Sequence, residues 1–176
     1  MRTALSIAGV AILVLTAAGT ALAQGSGAEA RLKQLNITLP ADQAPAANFV
    51  NSVQAGKLLF LSGNTPGGQW PLKGKVGKDL TIEQGYESAR QTGLIMLGKI
   101  RTALGSLDRV KRVVKVLGMV NSADGFSDQP KVVNGFSDLM VEVFGEAIGK
   151  HARSAVGMAG LPGNAPVEVE MIVEVE

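Results

Sequence analysis

The chain has 176 residues, of which 46% are hydrophobic and 18% are charged, a composition that favours one folded domain and excludes a largely disordered chain. A formal charge of +2 is too small for a dedicated nucleic-acid binder. The sequence has no cysteine and one histidine, His151. This excludes disulfides, thiol nucleophiles and cysteine-ligated metals, and a catalytic triad could use only that histidine.

The first 23 residues are typical of an export signal. Arg2 supplies a positive start, an apolar run covers residues 4–18, and residues 21–23 fit the small-residue cleavage pattern. We expect cleavage before Gln24 and a periplasmic or secreted mature chain that has no membrane contact. The alternative is an uncleaved membrane anchor, for which the run is short, because a spanning helix needs about 20 apolar residues.

The following segments predict a flexible lead-in, a β-hairpin and a long loop. Residues 24–47 are rich in glycine, alanine, proline and glutamine, which favours a flexible start. Apolar runs at residues 49–53 and 57–62 flank a turn that contains Gly56, as in a hairpin. Residues 63–78 are rich in glycine and lysine and predict a long loop, of a kind that is often functional.

Two amphipathic helices come next. Apolar residues at spacings of three and four predict a helix over residues 81–104, and Thr81 and Gln84 match a capping box at its start. Gly105 ends this helix. A second helix begins at Pro130, which the first helical turn tolerates, and ends at Gly145.

Three further strands complete the predicted fold. Residues 110–120 are β-branched and apolar, residues 153–161 predict a strand, and residues 167–175 alternate between valine and glutamate. The order is therefore β-β-α-β-α-β-β. We expect an α+β domain over residues 48–176, with one sheet and both helices on one of its faces.

The sequence contains no convincing nucleotide-binding or nucleic-acid-binding motif. Residues 93–99 have the spacing of a phosphate-binding loop, but they lie inside the first helix and Ile100 replaces the required Ser or Thr. Basic clusters at residues 73–78 and 109–112 predict solvated charge, because few aromatic residues are available to stack on bases. We therefore expect no nucleic-acid partner.

One arginine stands out. Arg153 lies in an otherwise small and apolar strand, where its charge needs an anionic partner. That partner is either a ligand or one of three glutamates of the last strand, Glu168, Glu170 and Glu174. The residues alone leave these two interpretations equally open.

Several segments together resemble the Rid family, the RidA/YjgF reactive intermediate deaminases. The resemblance spans residues 49–174, and the matching segments are residues 60–66, 108–115, 134, 144–145, 152–154, 161–162 and 167–170. It implies a chorismate-mutase-like fold and a homotrimer with ligand clefts between subunits. It also implies hydrolysis of reactive enamine or imine acids, such as 2-aminoacrylate, to 2-keto acids and ammonia without a cofactor or metal.

The resemblance also implies roles for individual residues. Arg153 corresponds to the arginine that binds the substrate carboxylate, and Glu168 to the glutamate that positions the attacking water. Ser62 corresponds to a serine that lines the cleft, beside Gly63. These side chains suit the chemistry, because a guanidinium matches a carboxylate and one carboxylate base can place water against an electrophilic imine carbon.

Three further cleft positions depart from the family pattern. Phe49 stands where many deaminases have a tyrosine, Ala155 stands where they often have a cysteine, and Asp124 lies near the position of a cleft asparagine. The lost hydroxyl and thiol leave open an alternative function, a non-catalytic trimer that binds small carboxylates. A ribonuclease function, sometimes attached to the family, is disfavoured by the weak charge.

Strand geometry leads to an expectation about assembly. If the last two strands form a hairpin centred near Gly163, Arg153 lies opposite Val173 and Glu168 lies opposite Met158. The arginine and the glutamate would then be about 16 Å apart along the ladder. One chain would therefore struggle to hold a small acid with both residues, whereas a neighbouring subunit could supply one of them.

Overall fold

The computed structural model describes residues 27–45 and 47–176, and the predicted export signal lies outside them. One five-stranded sheet has the strand order β1-β2-β5-β3-β4. The strands are β1 (Ser52–Ala55), β2 (Leu58–Asn64), β3 (Val110–Asn121), β4 (Ala152–Met158) and β5 (Val167–Val175). The helices are α1 (Ala28–Gln34), α2 (Ile82–Leu104), α3 (Gln129–Phe144) and α4 (Glu146–Gly149). Short 3₁₀ turns cover Leu107–Arg109 and Pro162–Asn164.

The predicted α+β class is confirmed, and β5 shows how the sheet separates its two faces. This strand lies between β2 and β3 and pairs antiparallel with both. Its odd-numbered residues, from Val167 to Val175, are buried on the face that α2 covers, whereas Glu168, Glu170 and Glu174 lie on the opposite face. The period-two alternation of the sequence therefore determines which face is covered by helices.

The two long helices are confirmed. Thr81 and Gln84 form the predicted capping box, and Gly105 ends α2 in a left-handed conformation with φ 82°. The predicted hairpin is also confirmed, although β1 begins at Ser52, three residues later than expected. The helices contact each other closely at Gly135 of α3, where a β-carbon would collide with the main-chain carbonyl of Tyr86.

The predicted pairing of the last two strands is wrong. β4 does not form a hairpin with β5 but pairs in parallel with β3 at the edge of the sheet. Arg153 lies opposite Val116 and Glu168 lies opposite Met119, so neither faces the partner expected from a hairpin. The reason is the β3-α3-β4 crossover, which makes β4 parallel to β3. The chain then passes the end of β3, and Pro166 accepts a hydrogen bond from the Asn121 amide there.

The prediction of a flexible lead-in does not hold for residues 28–34, which form helix α1. Its sequence, AEARLKQ, consists mostly of good helix formers that the surrounding glycines and prolines obscure. Leu32 is buried, and the Glu29 carboxylate accepts two hydrogen bonds from Arg101 and one from the Leu107 amide. No described helix is long and apolar enough to cross a membrane.

The close contact between α2 and α3 predicts that a methyl group added at Gly135 destabilises the fold. Gly135→Ala should lower the free energy of unfolding by about 1–3 kcal/mol, because a backbone carbonyl cannot move aside as a side chain can. This is the net loss that remains after the gain of about 1 kcal/mol that alanine gives over glycine in a helix. Urea denaturation measures the difference.

Gly160→Ala is the matched control for this substitution. A β-carbon added at Gly160 would meet no other atom within 4 Å, so the change should stay within about 0.5 kcal/mol of the unaltered protein. Equal stabilities for the two variants would contradict the close approach of the helices.

Candidate ligand-binding site

A cavity of about 820 Å³ lies beside the ends of β2 and β5. Three of the predicted site residues line it: Phe49, Gly63 and Glu168. The other walls are residues 40–43, the start of the long loop at residues 64–70, and three residues of α2, Gln91, Ile95 and Lys99. The cavity therefore brings the predicted glutamate together with a loop whose purpose the sequence does not indicate.

Gly63 makes room for the Glu168 side chain. A β-carbon at position 63 would collide with the Glu168 carboxylate, so the glycine lets this carboxylate keep its position against β2. Burial raises the pKa of the Glu168 carboxyl, and the negative charge of Glu170 raises it further. A carboxyl with a raised pKa binds protons more strongly, which suits a group that takes a proton from water and returns it.

Arg153 is held by neutral oxygens of α3. Its Nη1 donates to Asn134 Oδ1 at 2.9 Å and to Ser137 Oγ at 3.0 Å, and its Nη2 donates to the Pro130 carbonyl at 3.4 Å. Among the described residues, no carboxylate lies within the 4.0 Å of an ion pair with Arg153. Of the two interpretations that the sequence left open, the salt bridge to a glutamate of β5 is therefore not formed.

These contacts leave part of the Arg153 guanidinium open to a ligand. A guanidinium has five N–H donors, and the three contacts to α3 use three of them within the described chain. The side chain is half-buried at the edge strand of the sheet. It thus combines a fixed orientation with two N–H groups that have no partner among the described residues, although it lines none of the three cavities.

His151 helps to orient the hydroxyl that contacts Arg153. The Nδ1 atom of His151 lies 2.7 Å from the Gly149 carbonyl, which only accepts, so Nδ1 carries the proton. The unprotonated Nε2 then accepts from Ser137 Oγ at 3.1 Å, and this leaves the hydroxyl oxygen to accept from Arg153. Burial lowers the pKa of His151, and the Arg153 charge acts in the same direction.

The side chains of Arg153 and Glu168 lie on opposite faces of the sheet. Their partners on β3, Val116 and Met119, are three residues apart, and an odd separation along a strand reverses the face. The contacts agree, since Arg153 reaches α3 and Glu168 lies on the face opposite the helices. A small ligand therefore cannot contact both residues of one chain.

The remaining predicted residues lie apart from the large cavity. Ser62 donates to the Val50 carbonyl at 2.6 Å and lines a second cavity of about 410 Å³, together with Ser154. Ala155 lies on the face of Arg153 and packs against the core. Asp124 is exposed in the loop after β3. Their roles in a ligand site stay predictions.

Asn134 and Ser137 are contacts of Arg153 that the sequence does not assign. They lie three residues apart on α3 and so share one helix face. Asn134 belongs to the segments of the family resemblance, and the spacing to Ser137 is the signal that could have linked both to the arginine. The residues that contact Arg153 thus come from α3, and not from the loop that contains Asp124.

The sheet face that carries Glu168 is uncovered and partly apolar. Five apolar side chains on it are between 36% and 56% exposed; they are Val53, Leu58, Phe60, Val156 and Met158. The strand register places them on this face. Phe60 pairs with Ile172, which lies on the same face of β5 as Glu168. Val156 pairs with Met119, and Met119 also pairs with Glu168. An exposed apolar surface of this extent is typical of an interaction face.

Comparison with known proteins gives one family and several relatives. Residues 29–175 match the family described as "YjgF/chorismate_mutase-like, putative endoribonuclease". "Protein TCP17" of Trypanosoma cruzi is 48% identical over 149 residues, which is 82% of this chain and 92% of that protein. A "2-iminobutanoate/2-iminopropanoate deaminase" of Dermatophagoides farinae is 29% identical over 140 residues, 80% of this chain and 95% of that protein.

Solved structures show the same fold. A protein of unknown function from Agrobacterium tumefaciens is 41% identical, with a TM-score of 0.78 over 85% of this chain and 92% of its own. A "putative endoribonuclease" from Shewanella oneidensis is 30% identical, with a TM-score of 0.80 over 85% of this chain and 99% of its own. The fold and its extent are therefore shared with relatives whose names differ in the activity they state.

The raised pKa of Glu168 predicts how stability depends on pH. A carboxyl whose pKa is higher in the folded state stabilises the fold below its unfolded pKa, and this contribution is lost as the pH rises through the folded pKa. Glu168→Gln should therefore gain stability relative to the unaltered protein as the pH rises from about 4 upward. Thermal or urea denaturation across this range measures the change.

Glu146→Gln is the control with the opposite sign. The hydrogen bond from Lys150 and its charge lower the pKa of Glu146, so this carboxylate stabilises the fold at neutral pH and less so in acid. Its glutamine variant should lose relative stability as the pH rises. Parallel pH curves for Glu168→Gln and the unaltered protein would contradict the burial of Glu168.

Proposed function

The chain belongs to the YjgF/chorismate mutase-like family, and we propose that it hydrolyses reactive imine or enamine acids to 2-keto acids and ammonia in a cleft that two copies share. The observation that carries this proposal is the environment of Arg153, a fixed guanidinium with two open donors and no carboxylate partner among the described residues. A guanidinium in this state is suited to a small carboxylate, which it can bind through two parallel hydrogen bonds.

The proposed reaction needs one anchor and one proton carrier. Arg153 binds the substrate carboxylate, and Glu168 of a second copy accepts a proton from water as the water oxygen adds to the imine carbon. The same carboxyl gives this proton to the nitrogen, which forms a carbinolamine. It then takes the proton of the new hydroxyl group and passes it to the nitrogen as the C–N bond breaks, which gives the 2-keto acid and ammonia. Burial of Glu168 supports this role, because it favours the protonated form that must donate.

Arg153 and Glu168 of one chain lie on opposite faces of the sheet, so the proposal requires a second copy of the chain to supply one of them. Arg153 lies on the edge strand β4, and the uncovered apolar face carries Glu168. We propose a closed ring of three chains, as the family resemblance implies, in which the arginine of each copy approaches the glutamate of the next. Such a head-to-tail contact uses two different surfaces of each chain and closes when the rotation fits the ring.

A non-catalytic carboxylate-binding protein is the second candidate. Phe49 contributes a ring without a hydroxyl to the cavity of Glu168, and Ala155 contributes no thiol on the face of Arg153. Both candidates start from the same contact between Arg153 and a carboxylate. They differ in whether Glu168 moves a proton, so accelerated hydrolysis of an imine acid separates them.

We also propose that the protein works outside the cytoplasm. Residues 1–23 are the predicted export signal, and the 2-imino acid would then be one that reaches or arises in that compartment. Any 2-imino acid of that compartment that fits the cleft is then a candidate substrate.

Complementation between two inactive variants tests the shared cleft. Arg153→Ala and Glu168→Gln should each lower the rate of 2-iminopropanoate hydrolysis about tenfold to hundredfold, because hydrogen bonds to charged groups contribute about 1.5–3 kcal/mol. The two variants are co-expressed with different tags and isolated through both. Every mixed ring of three then contains one cleft with both native residues, so about one third of the activity should return.

Glu146→Gln replaces Glu168→Gln in the control experiment, since this exposed glutamate lies on α4, away from the cavity. It should retain full activity alone. Mixed assemblies that stay inactive would show that the two residues do not serve one cleft. Arg153→Ala with full activity would remove the carboxylate anchor from the proposal.

A further inference from the structure

We propose that the substrate is a 2-imino acid with a large apolar or aromatic side chain, which the cavity beside Glu168 receives against Trp70. This inference rests on the proposed function and specifies its substrate class. The cavity of about 820 Å³ lies within the range of about 300–1,000 Å³ that is typical of sites for drug-sized ligands. A three-carbon imine acid would leave most of this space to water.

The long loop supplies one wall of the cavity through Trp70. The indole Nε1 donates to Ser88 Oγ at 2.9 Å, and Ser88 Oγ donates to the Gln84 carbonyl at 2.8 Å. Ser88 is fully buried in α2, so the indole is tied to a rigid element of the core. A loop anchored in this way presents a fixed aromatic surface, which gives the segment at residues 63–78 a purpose in ligand selection.

Residues 40–43, which also line the cavity, are held against α2. Lys99 of α2 donates to Asp42 Oδ1 at 3.2 Å and to Asn51 Oδ1 at 2.6 Å, and Asn51 Nδ2 donates to the same Asp42 oxygen at 2.9 Å. The Pro40 carbonyl lies directly on Gly98, where a β-carbon would come within 2.6 Å of its oxygen. These contacts hold residues 40–43 on the helix before any ligand binds, which lowers the entropy cost of binding.

The charges along this wall are already neutralised. Lys99 and Asp42 form an ion pair with exposed side-chain fractions of only 8% and 18%. Glu168 is the remaining charged group of the lining, and the proposed reaction uses it. Trp70 and Ile95 of α2 line the cavity beside neutral polar residues such as Gln91, so no unpaired charge other than Glu168 meets the ligand there. An apolar side chain fills such a space better than a charged one.

The orientation of the substrate follows from the proposed reaction. Glu168 lies at one end of the cavity, over Gly63, and must face the imine carbon. The carboxylate points to Arg153 of the second copy, so the side chain attached to the imine carbon points into the cavity. Oxidation of a large amino acid by molecular oxygen, which yields its 2-imino acid and hydrogen peroxide, is the class of reaction that would supply such a substrate.

Competition between a large and a small substrate tests the inference. Imine acids are generated by an amino acid oxidase from phenylalanine and from alanine, with catalase present, and the rate of 2-keto acid formation is compared with and without the protein. We expect kcat/KM to be at least about tenfold higher for the phenylalanine-derived imine, as expected when several methylene-sized contacts are added. Trp70→Ala should lower this ratio about tenfold or more.

Two further variants distinguish a loss of substrate selection from a loss of folding in Trp70→Ala. Ile95→Trp fills the cavity without removing the wall and should also lower the ratio, whereas Leu35→Ala removes an exposed apolar side chain that lines none of the cavities described above and should not change it. Binding of phenylpyruvate and pyruvate is measured by calorimetry as a readout that needs no catalysis. Phenylpyruvate should bind at least about tenfold more tightly.

The outcomes separate this inference from the proposed function. Imine hydrolysis with no preference for the large substrate, and no change in ratio for Trp70→Ala or Ile95→Trp, would overturn the substrate class and leave the reaction standing. Absence of hydrolysis together with Trp70-dependent binding of phenylpyruvate would overturn the reaction and support the ligand class. Absence of both hydrolysis and keto-acid binding would overturn both.

Discussion

The alternation of side chains along paired strands is the constraint on which the rest of the structure depends. In β5 it buries one set of residues under the helices and places Glu168 on the uncovered face. Through β3 the same alternation places Arg153 on the covered face, because its partner Val116 and the partner of Glu168, Met119, differ by an odd number of positions. No side-chain rotation can bring two such groups of one chain to one small molecule, and the proposed cleft between two chains answers this constraint.

Much of the fold can be predicted from the sequence wherever local signals agree. The capping box at Thr81 and Gln84, the regular alternation of residues 167–175 and the turn at Gly56 each have a local physical cause, and the structure confirms all three. Strand pairing is different, because it depends on which chain segments meet in space. The turn near Gly163 indicates a reversal of direction but cannot show that β4 has already paired with β3.

The same distinction explains what the sequence indicates about the site. Arg153 is conspicuous because a cation in an apolar strand needs partners, and this requirement is a local property. Its actual partners, Asn134 and Ser137, are neutral residues on a helix that reaches the arginine only after the β3-α3-β4 crossover forms. Helix α1 is a similar case, since the contact of Glu29 with Arg101 joins residues 72 positions apart.

The proposed division of the site between two chains would let affinity and selectivity depend on separate parts of the molecule. The carboxylate that Arg153 would bind and the imine carbon that Glu168 would face are common to all 2-imino acids, so these contacts cannot distinguish one substrate from another. The side chain differs, and the wall that would meet it, Trp70, is tied to Ser88 of α2 and not to the strands that carry the arginine or the glutamate. A change in that loop can therefore alter which substrate fits while the sheet keeps the reacting groups in place.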